Sequence, residues 1–529
     1  VKPVLVVGVG GDIGVYAFQR AAHEQYGWQP VVLAPVMTTF MKHSTLVDYV
    51  ITPGLHDPDV LVARLNDFAA SHPDNELILF TNLDWHVRVI AERRAELDPR
   101  WLIPLCELSA FDRISSKTAF AAACDAVGVR TPRTVPVVFT RTDDAEAGQG
   151  AGAGAAEGTV HAAQAIDAIR TLGLEYPLIG KPSASSDWFN ASFPGKLKIH
   201  HFTSEAELTE VLDHLSALDY PSEFLVQEFV PGDETHMRSL TAYRDRNGDV
   251  TLLAGGQVLL EEHTPGTLGI PAAIVTGVDA EAFDAARRVL DHTDYFGFAN
   301  FDYKVSSRDG SRVFFEANPR IGRNNYYVTA SGANVADAVA RDLLPEHYAA
   351  NGGTAVTEPV TPHSEILYSL VSLRVLLRYI LDPELRSRLR AVAKRHGVVH
   401  PLDYRADGSL KRRLWVRALR LRLAQMPAGA AALPATRHHP RLGACPPPCR
   451  SPLATLPMTS SSRWRRLLAA RCRSSRAPCG TPSTPRRAGA TMQAGLSSRA
   501  PREPSRSSAS PATASAASPI CGLATRPSC

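Results

Sequence analysis

Glu316, Asn318 and Arg320 alternate along the run RVFFEANPR, and the run FDYKV just upstream carries Asp302. Residues two apart on a strand leave by the same face, so the first three project together. Asp309-Gly310 lies between the two runs and is a turn signal, which predicts a hairpin. Asp302 joins the set only if it pairs with Glu316. That expectation requires a three-residue loop, Arg308-Asp309-Gly310, with Gly310 left-handed; a two-residue loop would set Asp302 opposite Ala317, on the other face. Two carboxylates and an amide oxygen on one patch are hard ligands suited to Mg²⁺ beside phosphates. Arg320 adds a fixed positive charge, and Arg323, Asn324, Asn325 and Ser331 follow. Such a set suits an anionic transition state and an anionic substrate. A solvated strand face would explain a lone Glu-x-Asn, but not this whole constellation.

The elements that position these residues read as an α/β (α+β) chain. VLVV (4–7) is a buried strand that turns through GVGGDIG into a helix. Gly8, Gly10 and Gly14 fit a tight turn that approaches a phosphate. The dinucleotide pattern wants Gly at position 13, where Ile13 stands, and no ribose-binding acid ends the second strand. A Rossmann-like domain without a dinucleotide is expected; a dehydrogenase reading rests on these glycines alone. Strand signals at 31–34, 49–52 and 77–81 alternate with helical stretches at 58–71 and 84–97, which implies a parallel sheet. Thr81, Asn82 and Asp84 follow a strand's carboxyl end, where open α/β sheets bind ligands; for Asp84 an N-cap role is the first expectation.

Further on, Lys117 precedes the helix TAFAAACDAVG, where a cation is slightly unfavourable. Lys181 ends the apolar strand YPLIGKP and must meet an anion or water. SASSDWFN comes next. Helices are expected at 161–172, 204–217, 279–293 and near 332–344. LVQEFV is a strand ended by Pro231-Gly232, and 236–243 and 250–260 read as antiparallel strands. Arg238 alternates outward there, towards phosphates, a substrate carboxylate or plain solvent. SEILYSLVSLRVLLRYIL reads as one amphipathic helix ended by Asp382-Pro383. LKRRLWVRALRLRLAQ (410–425) reads as a basic helix that docks on the acidic body or lies on an anionic membrane surface, packing on the body being preferred.

FEANPRIGRNNYYVTASG resembles the metal-binding end of the ATP-grasp ligases, whose motif is Glu-x-Asn-x-Arg, and within them the bacterial D-aspartate ligases and related carboxylate–amine ligases. The resemblance covers roughly residues 1 to 425. It implies an ATP-grasp fold: a Rossmann-like domain at 1–112, α+β grasp subdomains at 113–228 and 229–360, and a C-terminal helical segment at 361–425. It implies ATP and Mg²⁺ as cofactors. Asp302, Glu316 and Asn318 would hold the metal. Lys117 and Lys181 would reach the phosphates, and SASSDWFN would be a flap over them. Gln227, Glu228, Phe229 and Val230 would line the adenine, and Glu234 would hold the ribose. Arg320 and Lys181 would act in catalysis, with Arg323, Arg238 and Ser331 near the substrate. The implied activity is an ADP-forming acid–amino-acid ligase working through an acyl phosphate. D-aspartate is the implied donor and a peptidoglycan-precursor amine the implied acceptor. The alternatives are a ligase for another amino acid or small dipeptide, and an ATP-binding sensor that does no ligation.

Composition bounds these readings. Hydrophobic content of 44% and charged content of 21% are ordinary for a globular chain. No run reaches the roughly 18 apolar residues that span a bilayer. With no leader evident in the opening strand, a cytoplasmic location is expected; nothing points to nucleic acid. The formal charge of +4 hides a division. After Gln425 the chain has fifteen Arg, one acid (Glu503) and no Lys, which leaves −10 for the remainder. Of eight Cys only Cys106 and Cys124 precede this tail, so no disulfide framework is expected. The Gly/Ala-rich stretch 143–159 reads as a flexible loop. The tail 426–529 is too poor in apolar residues to form a core, and disorder is expected. It reads either as a basic tail for an anionic partner or as an out-of-frame translation of a GC-rich gene. The abrupt compositional change and Val at position 1 favour the second.

Overall fold

The protein is described by a computed structural model that covers residues 2–139, 159–183, 185–262, 269–354 and 358–423, with the backbone alone for Ser185, Ser186 and Phe189. The expected loop at 143–159 (Thr159 apart) and the expected tail lie outside the described residues.

Strands and helices alternate at first, and the result is a parallel sheet. β1 (Val4–Val9), β2 (Gln29–Ala34), β3 (Asp48–Ile51), β4 (Glu76–Phe80) and β5 (Trp101–Leu102) stand in the order β3-β2-β1-β4-β5. Continuous apolar runs such as VLVVGV and ELILF suit strands covered on both faces. The helix Pro58–Ser71 opens on Asp57, whose carboxylate accepts from the N–H groups of Asp59 and Val60; such a cap contributes about 1 kcal/mol.

A second sheet follows. β6 (Thr134–Val138), β7 (Val160–His161), β8 (Leu178–Pro182), β9 (His200–Phe202) and β10 (Phe224–Glu228) take the order β7-β6-β10-β8-β9. The third sheet has seven strands: β11 (Met237–Arg244), β12 (Val250–Glu261), β13 (Pro271–Gly277), β14 (Gly297–Val305), β15 (Arg312–Asn318), β16 (Leu367–Ser369) and β17 (Val398–Val399). Their order, β15-β14-β11-β12-β13-β16-β17, puts the hairpin that carries Asp302 and Glu316 at one edge. The first and third sheets share cores, as where Phe18, Ile78, Tyr243 and Phe298 pack together. The second sheet has a core of its own around Val137, Leu178, Trp188 and Phe224. The class is α/β as expected.

Two helix expectations are corrected here. SEILYSLVSLRVLLRYIL is not one helix. Leu367, Tyr368 and Ser369 pair with Val275, Ile274 and Ala273 and are almost wholly buried, so an open sheet edge outweighs the helical period. Ser372 then caps a short helix, Leu373–Tyr379, and Asp382 caps the next, Pro383–His396. In the stretch expected to be a flap, Ser185–Asn190 is a short helix, and Trp188 stacks on Phe224 with ring centroids 5.6 Å apart. The expected helix 161–172 shortens to Ala165–Thr171 behind a two-residue strand and a 3₁₀ turn.

The basic helix, Leu410–Leu423, packs on the body. Arg412 is 1% exposed and forms an ion pair with Asp407 at 3.1 Å. Its Nη1 donates to the carbonyls of Phe40 and Lys42 at 2.8 and 2.9 Å. Asp407 in turn accepts from Tyr16 Oη at 2.8 Å and from the Thr45 N–H at 2.6 Å. Removing one member of a buried pair leaves the other charge uncompensated. Arg412→Ala is therefore expected to lower the unfolding free energy by about 3–5 kcal/mol, read from urea unfolding; a loss below about 1 kcal/mol would mean the pair is not structural.

Candidate active site

The hairpin sets the site, by a route the sequence did not suggest. Gly310 is left-handed at φ +71°, as expected. The loop, however, has four residues: the Ser306 N–H donates to the Ser311 carbonyl, and the Gly310 N–H returns to the Ser306 carbonyl, both at 2.9 Å. Val305, Lys304 and Tyr303 face Arg312, Val313 and Phe314. Continued unchanged, that register would put Asp302 opposite Phe315. A bulge takes up Phe315 instead, and Asp302 then faces Glu316 while Asn300 faces Asn318. The expected juxtaposition is present; the expected three-residue loop is not what produces it.

Asn318 Nδ2 lies 3.3 Å from Asp302 Oδ2 and 3.5 Å from Glu316 Oε1, so one amide bridges both carboxylates. Asn300 Nδ2 stands 3.5 Å from Asp302 Oδ1. Desolvation in the cleft holds the Asp302 carboxyl well above the usual range; Glu316 and Glu261 add to the effect, and Arg320 and the Asn318 amide oppose it. Two carboxylates so placed repel, and either a proton or a cation relieves them. The donor set fits a hard divalent cation. Among the described residues no group of three or more His, Cys, Asp and Glu is placed to hold a metal; here an amide completes the pair of acids.

Arg320 Nη2 donates to Asn318 Oδ1 at 3.2 Å, and its Nε pairs with Asp84 at 2.7 Å. Asp84 is not the N-cap expected of it. Leu83 holds that position, and Asp84 opens the helix Asp84–Glu92 with its carboxylate turned to Arg320. Lys181, on β8, is pushed down to about 8, first by burial and then by Lys117, with Glu316 opposing. Lys181 thus lies within electrostatic reach of both Lys117 and Glu316. Lys117 is the first residue of its helix, behind the cap Ser116.

The residues expected to line the base straddle the end of β10. Gln227 and Glu228 are still paired within the sheet, and the Glu228 carboxylate is held by Arg130 and Arg133 at 3.2 and 2.8 Å. Phe229 and Val230 lie past the strand's end. The Val230 carbonyl accepts from Lys304 Nζ at 3.0 Å, which ties the hinge to the third sheet. Glu234 Oε2 accepts from the Glu261 N–H at 3.1 Å.

The three expected substrate residues separate. Ser331 is buried and donates to the Val328 carbonyl at 2.8 Å, so it closes a helix instead of meeting a ligand. Arg238 pairs in register with Tyr303 and Gln257, whereas Asp302 faces Ser239. Arg238 therefore projects from the opposite face of the sheet, and the period of two excludes it from the site. Arg323 is close by but engaged: its Nε donates to Asp12 at 3.0 and 3.1 Å and its Nη1 to Glu262. Gly14 explains the approach. A Cβ there would stand 2.7 Å from Arg323 Cα, so the close contact that this glycine permits is made by the chain itself and not by a phosphate.

Sequence reasoning missed Asn300, Asp12, Glu261 and Glu262. Asn300 was legible, two residues before Asp302 on one strand. Asp12, Glu261 and Glu262 carried no local signal, because their partners lie 311, 27 and 61 residues away.

Two expectations follow. Lys181 has a lowered folded value, so its charge is lost as pH rises through about 8, and the burial cost it imposes below that pH is relieved between there and its ordinary value. Pyrophosphate affinity, measured by titration calorimetry, should fall over that rise, and Lys181→Arg should flatten the dependence because a guanidinium stays charged. Equal affinity from about pH 7 to about pH 9.5 would place the amine away from the anion. Asp302 has a raised folded value, so its protonated form favours the folded state. Metal-free stability is present at acid pH and falls as pH climbs from the ordinary carboxylate range through that raised value. Melting in chelator should lose this component in Asp302→Asn.

No family model matches the chain. A D-aspartate ligase of Enterococcus faecium (strain Aus0004) is 27% identical over 415 residues, which span 78% of this chain and 92% of that protein. Among solved structures, an L-amino acid ligase from Bacillus licheniformis is 13% identical with a TM-score of 0.43, over 65% of this chain and 75% of its own. N5-carboxyaminoimidazole synthetase from Staphylococcus aureus is 15% identical with a TM-score of 0.44, over 68% and 80%. The chain resembles the ATP-grasp carboxylate–amine ligases to which its motifs point, and it is similar to a D-aspartate ligase over nearly the whole length of that enzyme.

Proposed function

We propose that this protein is an ATP-dependent ligase that activates D-aspartate and joins it to the amine of a peptidoglycan precursor. The observation that carries the reading is the facing of Asp302 and Glu316, bridged by Asn318, with Arg320 bonded to that amide and Lys181 within electrostatic reach of Glu316. The similarity to a D-aspartate ligase supports the donor.

Asp302, Glu316 and Asn318 would hold Mg²⁺, which when bound supplies positive charge to phosphate oxygens. Lys117 and Lys181 would neutralise the remaining phosphate charge, with Phe229 and Val230 against the base and Glu234 towards the ribose. The donor carboxylate attacks the γ-phosphorus of ATP, ADP leaves, and an acyl phosphate forms. The amine then attacks the acyl carbon, phosphate leaves, and an amide remains. Arg320 faces the charge that develops in both steps, and Asp84 keeps its guanidinium plane in one orientation. No side-chain nucleophile is needed. Arg323, Asp12 and Glu262 are paired with one another, and by exchanging those partners they would offer a cation to a carboxylate and anions to an ammonium, which is what an amino-acid zwitterion requires.

Hydroxylamine trapping tests this. With Mg·ATP and a panel of carboxylates that includes both aspartate enantiomers, the hydroxamate should form with D-aspartate. Arg320→Ala should lower kcat by about 10²–10³-fold. No hydroxamate from any carboxylate, with ATP binding intact, would refute the ligase reading.

A further inference from the structure

The helix Leu410–Leu423 carries a second feature, unrelated to the cleft. At about 100° per residue, Leu410, Leu414 and Leu421 fall within about 40° of one another. They are 75%, 55% and 69% exposed. The buried residues Arg412, Val416 and Leu419 lie on the opposite side. The leucines therefore form a ridge pointing directly away from the protein.

That ridge cannot roll inward. Arg412 is fixed by Asp407 and by the carbonyls of Phe40 and Lys42, and Trp415 Nε1 donates to the Thr39 carbonyl at 2.9 Å. The loop that receives these bonds also exposes Val36 and Met37, at 64% and 46%.

Charge selects the occupant. The helix has six cations and no acid, in a stretch of chain that is net −10 before residue 426. Arg413 and Arg417 flank the ridge on one side, Lys411 and Arg422 on the other. The chain beyond Gln425 is itself strongly basic, so it is repelled from this face, and the same face of a second copy is repelled equally. A ridge of leucines between rows of cations matches a surface that is anionic outside and apolar beneath. We infer that this helix docks the protein on the headgroup layer of an anionic membrane, leucines inserted and arginines on phosphates. No helix among the described residues is long and apolar enough to cross a membrane, so the contact is peripheral.

The full chain should co-sediment with vesicles of phosphatidylcholine containing about one third phosphatidylglycerol, and much less with phosphatidylcholine alone. The triple variant Leu410→Ser, Leu414→Ser, Leu421→Ser keeps every cation, including those beyond residue 425. It should bind the anionic vesicles roughly tenfold or more weakly with an unchanged melting temperature, the three side chains being exposed. Leu414→Trp should shift its emission to the blue on anionic vesicles. Failure of the parent chain to bind would overturn the inference. Binding by the triple variant equal to the parent's would also overturn it, and would assign the affinity to charge alone. A parent dimer in lipid-free sedimentation that the triple variant dissociates would assign the face to a second copy instead.

Discussion

Like-charge repulsion between Asp302 and Glu316 is the constraint around which the rest of the cleft is arranged. The bulge at Phe315 creates it, because without that extra residue the two carboxylates would leave by different faces. Once they are opposed, the neighbourhood reads as compensation. Asn318 donates to both, Asn300 reaches Asp302, and Arg320 approaches through Asn318. Gly322 belongs to the same arrangement: a Cβ there would stand 2.5 Å from Asn300 Oδ1, so the loop after β15 passes this close only without a side chain. Two opposed carboxylates are a pair whose balance a cation improves.

The loop after β15 also fastens two sheets together. Arg320 pairs with Asp84 and Arg323 with Asp12, and both acids sit at carboxyl ends of strands in the first sheet. Asn325 Nδ2 donates to the Gly14 carbonyl at 2.9 Å in the same place. The Arg323–Asp12 pair is held in a partly buried setting, where charge-assisted hydrogen bonds are stronger than at an open surface. The cations expected to act are thereby oriented by acids that follow strands of the first sheet.

The C-terminal segment completes the body in two ways. β16 and β17 extend the third sheet beyond β13, and Arg412 is buried against the carbonyls of Phe40 and Lys42. A buried guanidinium is a costly anchor without a counter-charge; Asp407, itself held by Tyr16 and Thr45, supplies one, and the Phe40 and Lys42 carbonyls take up Nη1. The same clamp leaves the leucine ridge facing outward.

Local sequence determined what local physics controls. The parallel sheet at the start follows from strand and helix periods, and the helix Pro58–Ser71 keeps its expected bounds because cap, Pro and apolar stripe coincide. The common face of Glu316 and Asn318 follows from the strand period alone. Tertiary structure decided whatever depended on a distant partner. Asp302 reached Glu316 through a bulge that no residue type announces, since Phe315 is as good a strand residue as its neighbours. Arg238 and Ser331 had suitable chemistry, but register put one on the far face and packing buried the other. Leu367–Ser369 became a strand because β13 offered an edge. Asp84 and Arg323 found their roles in partners 236 and 311 residues away. Side-chain chemistry and short-range period are properties of the chain; register, facing and the company a charge keeps are settled only when the chain closes on itself.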